Sequence, residues 1–132
     1  MASKGRPYRS VEINGFEVLI GRGARENDEL TLKVASQRDL WLHVAGGTPG
    51  SHVVIRVGPE GESAVPKEVV HKAAQLAAWY SKARGAGRVE VHVCSVSDVR
   101  KPHGAKPGLV QLKKFRRVRV TPECVAGGDG EA

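Results

Sequence analysis

The segment WLHVAGGTPGSHVVIR, Trp41 to Arg56, sets His43 and His52 on either side of a glycine-rich loop. Histidines so placed can ligate a metal, pass protons to and from a phosphodiester, or hydrogen-bond phosphate oxygens. An unperturbed pKa of about 6.5 and two polar ring nitrogens suit all three roles. Each chemistry needs different company. A catalytic zinc requires about three protein ligands converging on one point. Asp39 is a legitimate third ligand type, but no HxH or HxxxH spacing occurs, and His71, His92 and His103 are isolated in sequence. No metal is expected. As base and acid, His43 and His52 define an alternative reading, an RNA-processing enzyme, although spacing alone does not bring the two rings together. The loop GGTPGS lacks the lysine that follows a phosphate-cradling nucleotide loop, and no GxSxG is present. The expectation is a protein with no catalytic residue and no cofactor.

Phosphate contact fits the same loop better. Gly46, Gly47 and Gly50 permit close backbone approach, and Ser51 and His52 supply donors at its end. A tight turn explains the glycines equally well. A second stretch, RKPHGAKPG, adds Arg100, Lys101, His103 and Lys106 on a loop stiffened by prolines. It opens a run from Arg100 to Arg119 with eight basic residues and no acid. Solubility alone would not exclude carboxylates from such a run. Over the whole chain, 21 Lys and Arg oppose 14 Asp and Glu, a net charge of +7, which favours an acidic partner. Six aromatic residues in all (two each of Trp, Tyr and Phe) are too few for a single-strand stacking sheet. Recognition of structured RNA by phosphate and shape is the better-supported mode.

These groups need a scaffold. The chain has 132 residues, 40% of them hydrophobic, which predicts one domain with a modest core of Val, Leu, Ile and Ala. No apolar run reaches the roughly 20 residues that cross a bilayer. Cys94 and Cys124 form no CxxC and no disulfide framework, so a cytoplasmic protein with reduced thiols is expected. Residues 1–9 read as a basic flexible tail, 10–122 as the folded domain, and 123–132 as a second flexible tail.

VEINGFEVLI alternates around Asn14-Gly15, a hairpin signal. Asn27 or Asp28 is placed to cap a short helix that turns Leu30, Val34 and Leu32 inward. LWLHV and SHVVIRV read as strands, with Leu40, Leu42 and Val44 on one face and Trp41 and His43 on the other. If they pair, both histidines share a face. Pro66 opens the longest helix, which Gly85 and Gly87 would end. RVEVHVCSV is an alternating strand, and LVQL with RRVRV reads as a final hairpin. The fold class is α+β: a single domain with a mostly antiparallel sheet and one long and one short helix packed on it.

Several blocks recur in a known order: Gly21-Arg22, Asn27-Asp28 before Leu30-Thr31, Lys33, Asp39-x-Trp41-x-His43, Gly50-Ser51-His52, and Lys101-Pro102 to Pro107-Gly108. From about residue 8 to 122 the chain resembles the NFACT-R domain. In larger relatives that domain is the C-terminal RNA-binding unit of ribosome-associated quality-control factors, which bind obstructed large ribosomal subunits with tRNA. Two positions depart from the family pattern, Gly23 for its usual Asn and His103 for its common Lys. The other domains of the large factors are missing, so a standalone RNA-binding protein is expected, without their tailing activity. The resemblance implies structured RNA (tRNA or rRNA) as partner, with the large ribosomal subunit as its setting. It leaves the oligomeric state open, as it does a ribosome-docking protein module. With the basic loop, it points to Arg22, Lys33, Trp41, His43, Ser51, His52, Arg100, Lys101 and Lys106 as RNA contacts. Asn27, Asp28, Asp39, Gly50 and Gly108 are expected to be structural, the first two as a helix cap and Asp39 as hydrogen-bond partner of a neighbouring loop. Trp41 has core as its alternative.

Overall fold

The computed structural model describes residues 8–124. Alternation of Val, Ile and Leu with polar residues produces a six-stranded sheet in the order β1-β2-β4-β3-β5-β8, every neighbouring pair antiparallel. Its strands are β1 (Tyr8–Ile13), β2 (Phe16–Gly21), β3 (Leu40–Val44), β4 (Val53–Ile55), β5 (Val89–Ser95) and β8 (Arg116–Val120). Asn14 and Gly15 both take positive φ, 48° and 89°, and form the tight turn between β1 and β2. A small ladder of β6 (Val99–Arg100) and β7 (Gln111–Leu112) lies outside the main sheet.

The two faces of the sheet have different covers. Leu40, Leu42, Val53, Ile55, Val91 and Val93 face helix α2 (Lys67–Trp79), whose Val69, Ala73, Ala74, Leu76 and Ala77 are fully buried against them. The alanines let the helix lie close to the strands. Each larger side chain so buried stabilises the fold by about 1.5–3 kcal/mol. On the opposite face, Leu19, Trp41, Val54, Cys94 and Val96 form a second cluster with Leu30. Its cover is a short helix, α1 (Ala24–Glu29), continued by a π-helical turn over Leu30–Val34 and helped by Val99, Val110 and Leu112. Burial pushes the Cys94 thiol up to about 12, so it stays protonated. No helix among the described residues is long and apolar enough to cross a membrane.

Four details differ from the sequence reading. Helix α1 starts at Ala24 with Gly23 in the capping position, so Asn27 and Asp28 sit inside the helix and cap nothing. Their side chains are drawn into tertiary hydrogen bonds, and Leu32 points outward, 47% exposed. Helix α2 stops at Trp79, well before the glycines, because the Tyr80 carbonyl accepts the Ser51 N–H and Ser81 bridges to Gly50. LVQL and RRVRV do not pair with each other. Val118 and Val120 complete the core under α2 while Val110 and Leu112 join the other cluster, and one hairpin cannot serve both faces. Strand β1 begins at Tyr8, so Tyr8 and Arg9 lie in the sheet; the remainder of the N-terminal tail, and residues 125–132 of the other, lie outside the described residues.

Candidate nucleic-acid interface

Antiparallel pairing of β3 with β4 ends at Leu42 with Val53, and the same register, carried one residue further, sets His43 opposite His52. Their rings meet edge to face with centroids 5.3 Å apart, and the Trp41 ring stands 5.8 Å from His43 and 5.0 Å from His52. The face they share is covered. Trp41 is 2% exposed and His52 1% exposed, so each presents little surface to a ligand and is held mainly by its neighbours in the fold. His43 is half-buried and reaches the open side.

A chain of hydrogen bonds explains why two polar rings are stable there. Trp41 Nε1–H donates to Thr31 Oγ1 at 3.1 Å. Thr31 Oγ1 lies 2.9 Å from His52 Nδ1, and His52 Nε2 lies 3.3 Å from the Gly108 carbonyl oxygen. A carbonyl only accepts, so Nε2 carries the proton and Nδ1 accepts from the threonine hydroxyl. Every polar atom of the relay has a partner. Burial and the neighbouring His43 push the His52 pKa down to about 3, against the weaker opposing pull of the Gly108 carbonyl. Burial likewise lowers His43, partly offset by backbone hydrogen bonds at Val44 and Gly50. Both His52 nitrogens are hydrogen-bonded within the fold, and the two rings approach each other edge to face.

The same site ties the two loops together. Asn27 Oδ1 accepts the His52 backbone N–H at 3.0 Å, and Asn27 Nδ2 donates to the Gly50 carbonyl at 3.2 Å. Asp28 Oδ1 accepts the Gly108 N–H at 3.1 Å, and its Oδ2 pairs with Lys101 Nζ at 3.0 Å. Lys101 Nζ also donates to the Lys106 and Leu109 carbonyls, at 2.6 and 2.9 Å. Three donors meet three acceptors, so the ammonium of Lys101 is fully engaged in holding the loop. Ser51 Oγ donates to the Gly21 carbonyl at 2.7 Å. Asp39, fully buried, accepts from Ser36 N–H and Val57 N–H, each at 2.9 Å, and pairs with Arg56 Nε at 3.0 Å. It pins the entry to β3 against the exit of β4. Close approach dictates two of the glycines. A Cβ at Gly50 would stand 2.6 Å from that of Ser81, and Gly108, at φ +85°, presses on Ala24.

Between the loops lies an open cleft of about 910 Å³. His43, Trp41 and His52 form its floor, and Gly46, Gly47, Gly50 and Ser51 one wall. Arg22, Lys82, Arg84 and Lys106 stand around it, all exposed, and among the described residues no Asp or Glu lines it. Arg22 and Lys106 were legible as candidates. Lys33 and Arg100 are exposed elsewhere and do not line the cleft. Lys82, Arg84 and His92 were missed. The signal for the first two was the KAR triplet, concealed by reading it as the last turn of α2. His92 enters through register alone, opposite His43. Among the described residues, no three His, Cys, Asp or Glu side chains are grouped to hold a metal.

A helix-backed antiparallel sheet, with a basic cleft on its other face that no carboxylate lines among the described residues, defines a small α+β domain. Residues 6–114 match the family described as the NFACT protein RNA binding domain, and the chain belongs to that family. It is 40% identical over 126 residues to the Rqc2 homolog RqcH of Bacillus subtilis, covering 92% of this chain and 21% of that protein. The RqcH of Streptococcus suis is also 40% identical, over 118 residues, covering 89% of this chain and 20% of that protein. The chain thus spans about a fifth of the length of these relatives. It is similar to the solved C-terminal part of the fibronectin/fibrinogen-binding protein of Streptococcus suis, with a TM-score of 0.80 and 39% identity, covering 89% of this chain and 46% of that one.

Proposed function

We propose that this domain binds structured RNA, tRNA or rRNA, through phosphate and shape contacts and without catalysing a reaction. The observation that carries this reading is the cleft edge. Arg22 follows β2, Lys82 and Arg84 follow α2, and Lys106 comes from the basic loop, yet all four surround one concave surface that no carboxylate lines among the described residues. Folding charges of one sign together costs self-repulsion, which a polyanion relieves. Lys82 and Lys106 make no ion pair among the described residues, leaving their ammonium groups to phosphates. Half-buried and neutral, His43 lines the floor where a sugar or phosphate oxygen would rest. The family description and the RqcH relatives support a setting in translation, in ribosome-associated quality control at the large subunit.

Fluorescence anisotropy with labelled tRNA and rRNA fragments tests the reading. Between about 50 and 200 mM salt, affinity should fall with a log–log slope of roughly −2 to −3, as expected for a few neutralised phosphates. A flat response would sink the electrostatic reading and favour a protein-docking module. The RNA should emerge uncut. Cleavage that disappears in His43→Ala and His52→Ala, with binding retained, would replace this proposal with the enzyme.

A further inference from the structure

Register places Arg117, His92 and His43 in one row across β8, β5 and β3, on the face away from α2. The cover over this face does not extend to the β5–β8 end. There Phe115 is 38% exposed and belongs to neither hydrophobic cluster, so it does no packing work in the core. Its ring stacks on His92 with centroids 4.0 Å apart and planes 26° from parallel, and the Arg117 guanidinium carbon lies 5.3 Å from the Phe115 centroid. Glu90, the acid beside this stack, is engaged by both partners, His92 Nε2 at 3.0 Å and Arg117 Nε at 3.1 Å, and orients them. Lys113, Lys114, Arg116 and Arg119 surround the ring in sequence. His92 also lines the basic cleft, so the stack and the cleft are continuous.

From this arrangement we infer that Phe115, with His92 and Arg117, is a stacking site for an unpaired nucleobase of an RNA whose backbone follows the cleft. The inference rests on the RNA reading of the cleft and narrows its ligand to structured RNA with an adjoining unpaired nucleotide. Stacked on His92 and partly overlaid by the Arg117 guanidinium, the Phe115 ring offers a base the polarisable surface it leaves exposed, while the basic neighbours hold the phosphates. An apolar protein segment would gain the ring alone and leave the surrounding charge unmatched. The aromatic count argued against a stacking sheet, and one exposed ring is no sheet; it is a single-base site.

The test uses an RNA duplex with a short single-stranded tail and the same duplex with an abasic tail of equal charge. The wild-type chain should bind the tail with bases roughly five- to a hundredfold more tightly, the range for one base on an aromatic ring. Phe115→Ala should lower that affinity to the abasic level and leave abasic binding unchanged, and Phe115→Trp should restore the difference. If the wild type binds both probes equally, the cleft reading stands and the stacking site falls. If it binds neither, the cleft reading itself falls and takes the site with it. An equal loss on both probes in Phe115→Ala makes the ring a support for the cleft. A preference that survives Phe115→Ala places the base elsewhere and leaves the ring to a protein partner; each of these overturns the inference.

Discussion

His52 and His92 stand two strands apart on the same face of one sheet, each beside an aromatic ring and a basic loop. In sequence they are equivalent: a histidine in an alternating strand of valines. Above His52 lie α1, the π turn and the 101–110 loop, and its ring is neutral and locked between Thr31 and Gly108. Above His92 stands Phe115, and the His92 side chain keeps 19% of its surface exposed beside Glu90 and Arg117. The difference teaches that strand parity assigns a side chain to a face, whereas the cover on that face assigns its job. The buried half of the face is a frame that fixes two loops. The open half, with the cleft beside it, is where a ligand can arrive.

Removing the frame should have the largest effect. His52→Ala leaves a cavity and strands the Thr31 hydroxyl and the Gly108 carbonyl, so urea denaturation should show a loss of about 3 kcal/mol. His92→Ala should cost less, about 1–2 kcal/mol, since its side chain is 19% exposed and loses one hydrogen bond to Glu90 and one ring contact with Phe115. Equal losses would erase the distinction between the halves. The frame should also respond to pH. His52 has a folded pKa near 3, below its unfolded value, so between those values the unfolded chain binds the extra proton. Stability is therefore complete above about pH 6.5 and falls by up to about 1.4 kcal/mol per pH unit as pH drops toward 3. His52→Asn, which cannot titrate, should lower stability at neutral pH and flatten that slope. The comparison with wild type at each pH removes the contribution of carboxylates common to both. An unchanged slope would mean that the ring is not held neutral.

Much of the fold was legible because one-sided burial writes itself as alternation. The β1–β2 hairpin, the inward faces of β3, β4 and β5, and the start of α2 just after Pro66 all followed from period and turn chemistry. The errors occurred where a tertiary contact outweighed a local preference. Asn27 and Asp28 are good capping residues, yet the His52 N–H and the Gly108 N–H claim their carbonyl and carboxylate oxygens. LVQL and RRVRV have hairpin spacing, but their apolar residues belong to opposite faces. At the site, Trp41 and His52 share one face as expected, but the depth of their burial was not legible, since nothing in LWLHV reports what will lie on top. Lys82 and Arg84 stayed hidden because a helix end set by a β-bridge at Ser81 has no local signature.

Lys101 and Lys106 provide a finer cut through the same comparison, because they share a loop and belong to different halves of it. Lys101 Nζ is consumed by Asp28 and two carbonyls, and its side chain is 23% exposed. Lys101→Met should therefore cost about 1–2 kcal/mol of stability, the penalty for leaving Asp28 without its partner in a partly buried place. Asp28→Asn should cost a similar amount, and the double variant less than the sum, since the two act on one contact. Lys106, exposed at the cleft, should behave oppositely. Lys106→Ala with Lys82→Ala should leave the urea midpoint within about 0.5 kcal/mol of wild type and reduce the RNA salt slope by about 2, one unit for each phosphate released. A double variant that binds RNA with an unchanged slope would move the phosphates off this cleft. One that melts early would make the cleft edge a second frame.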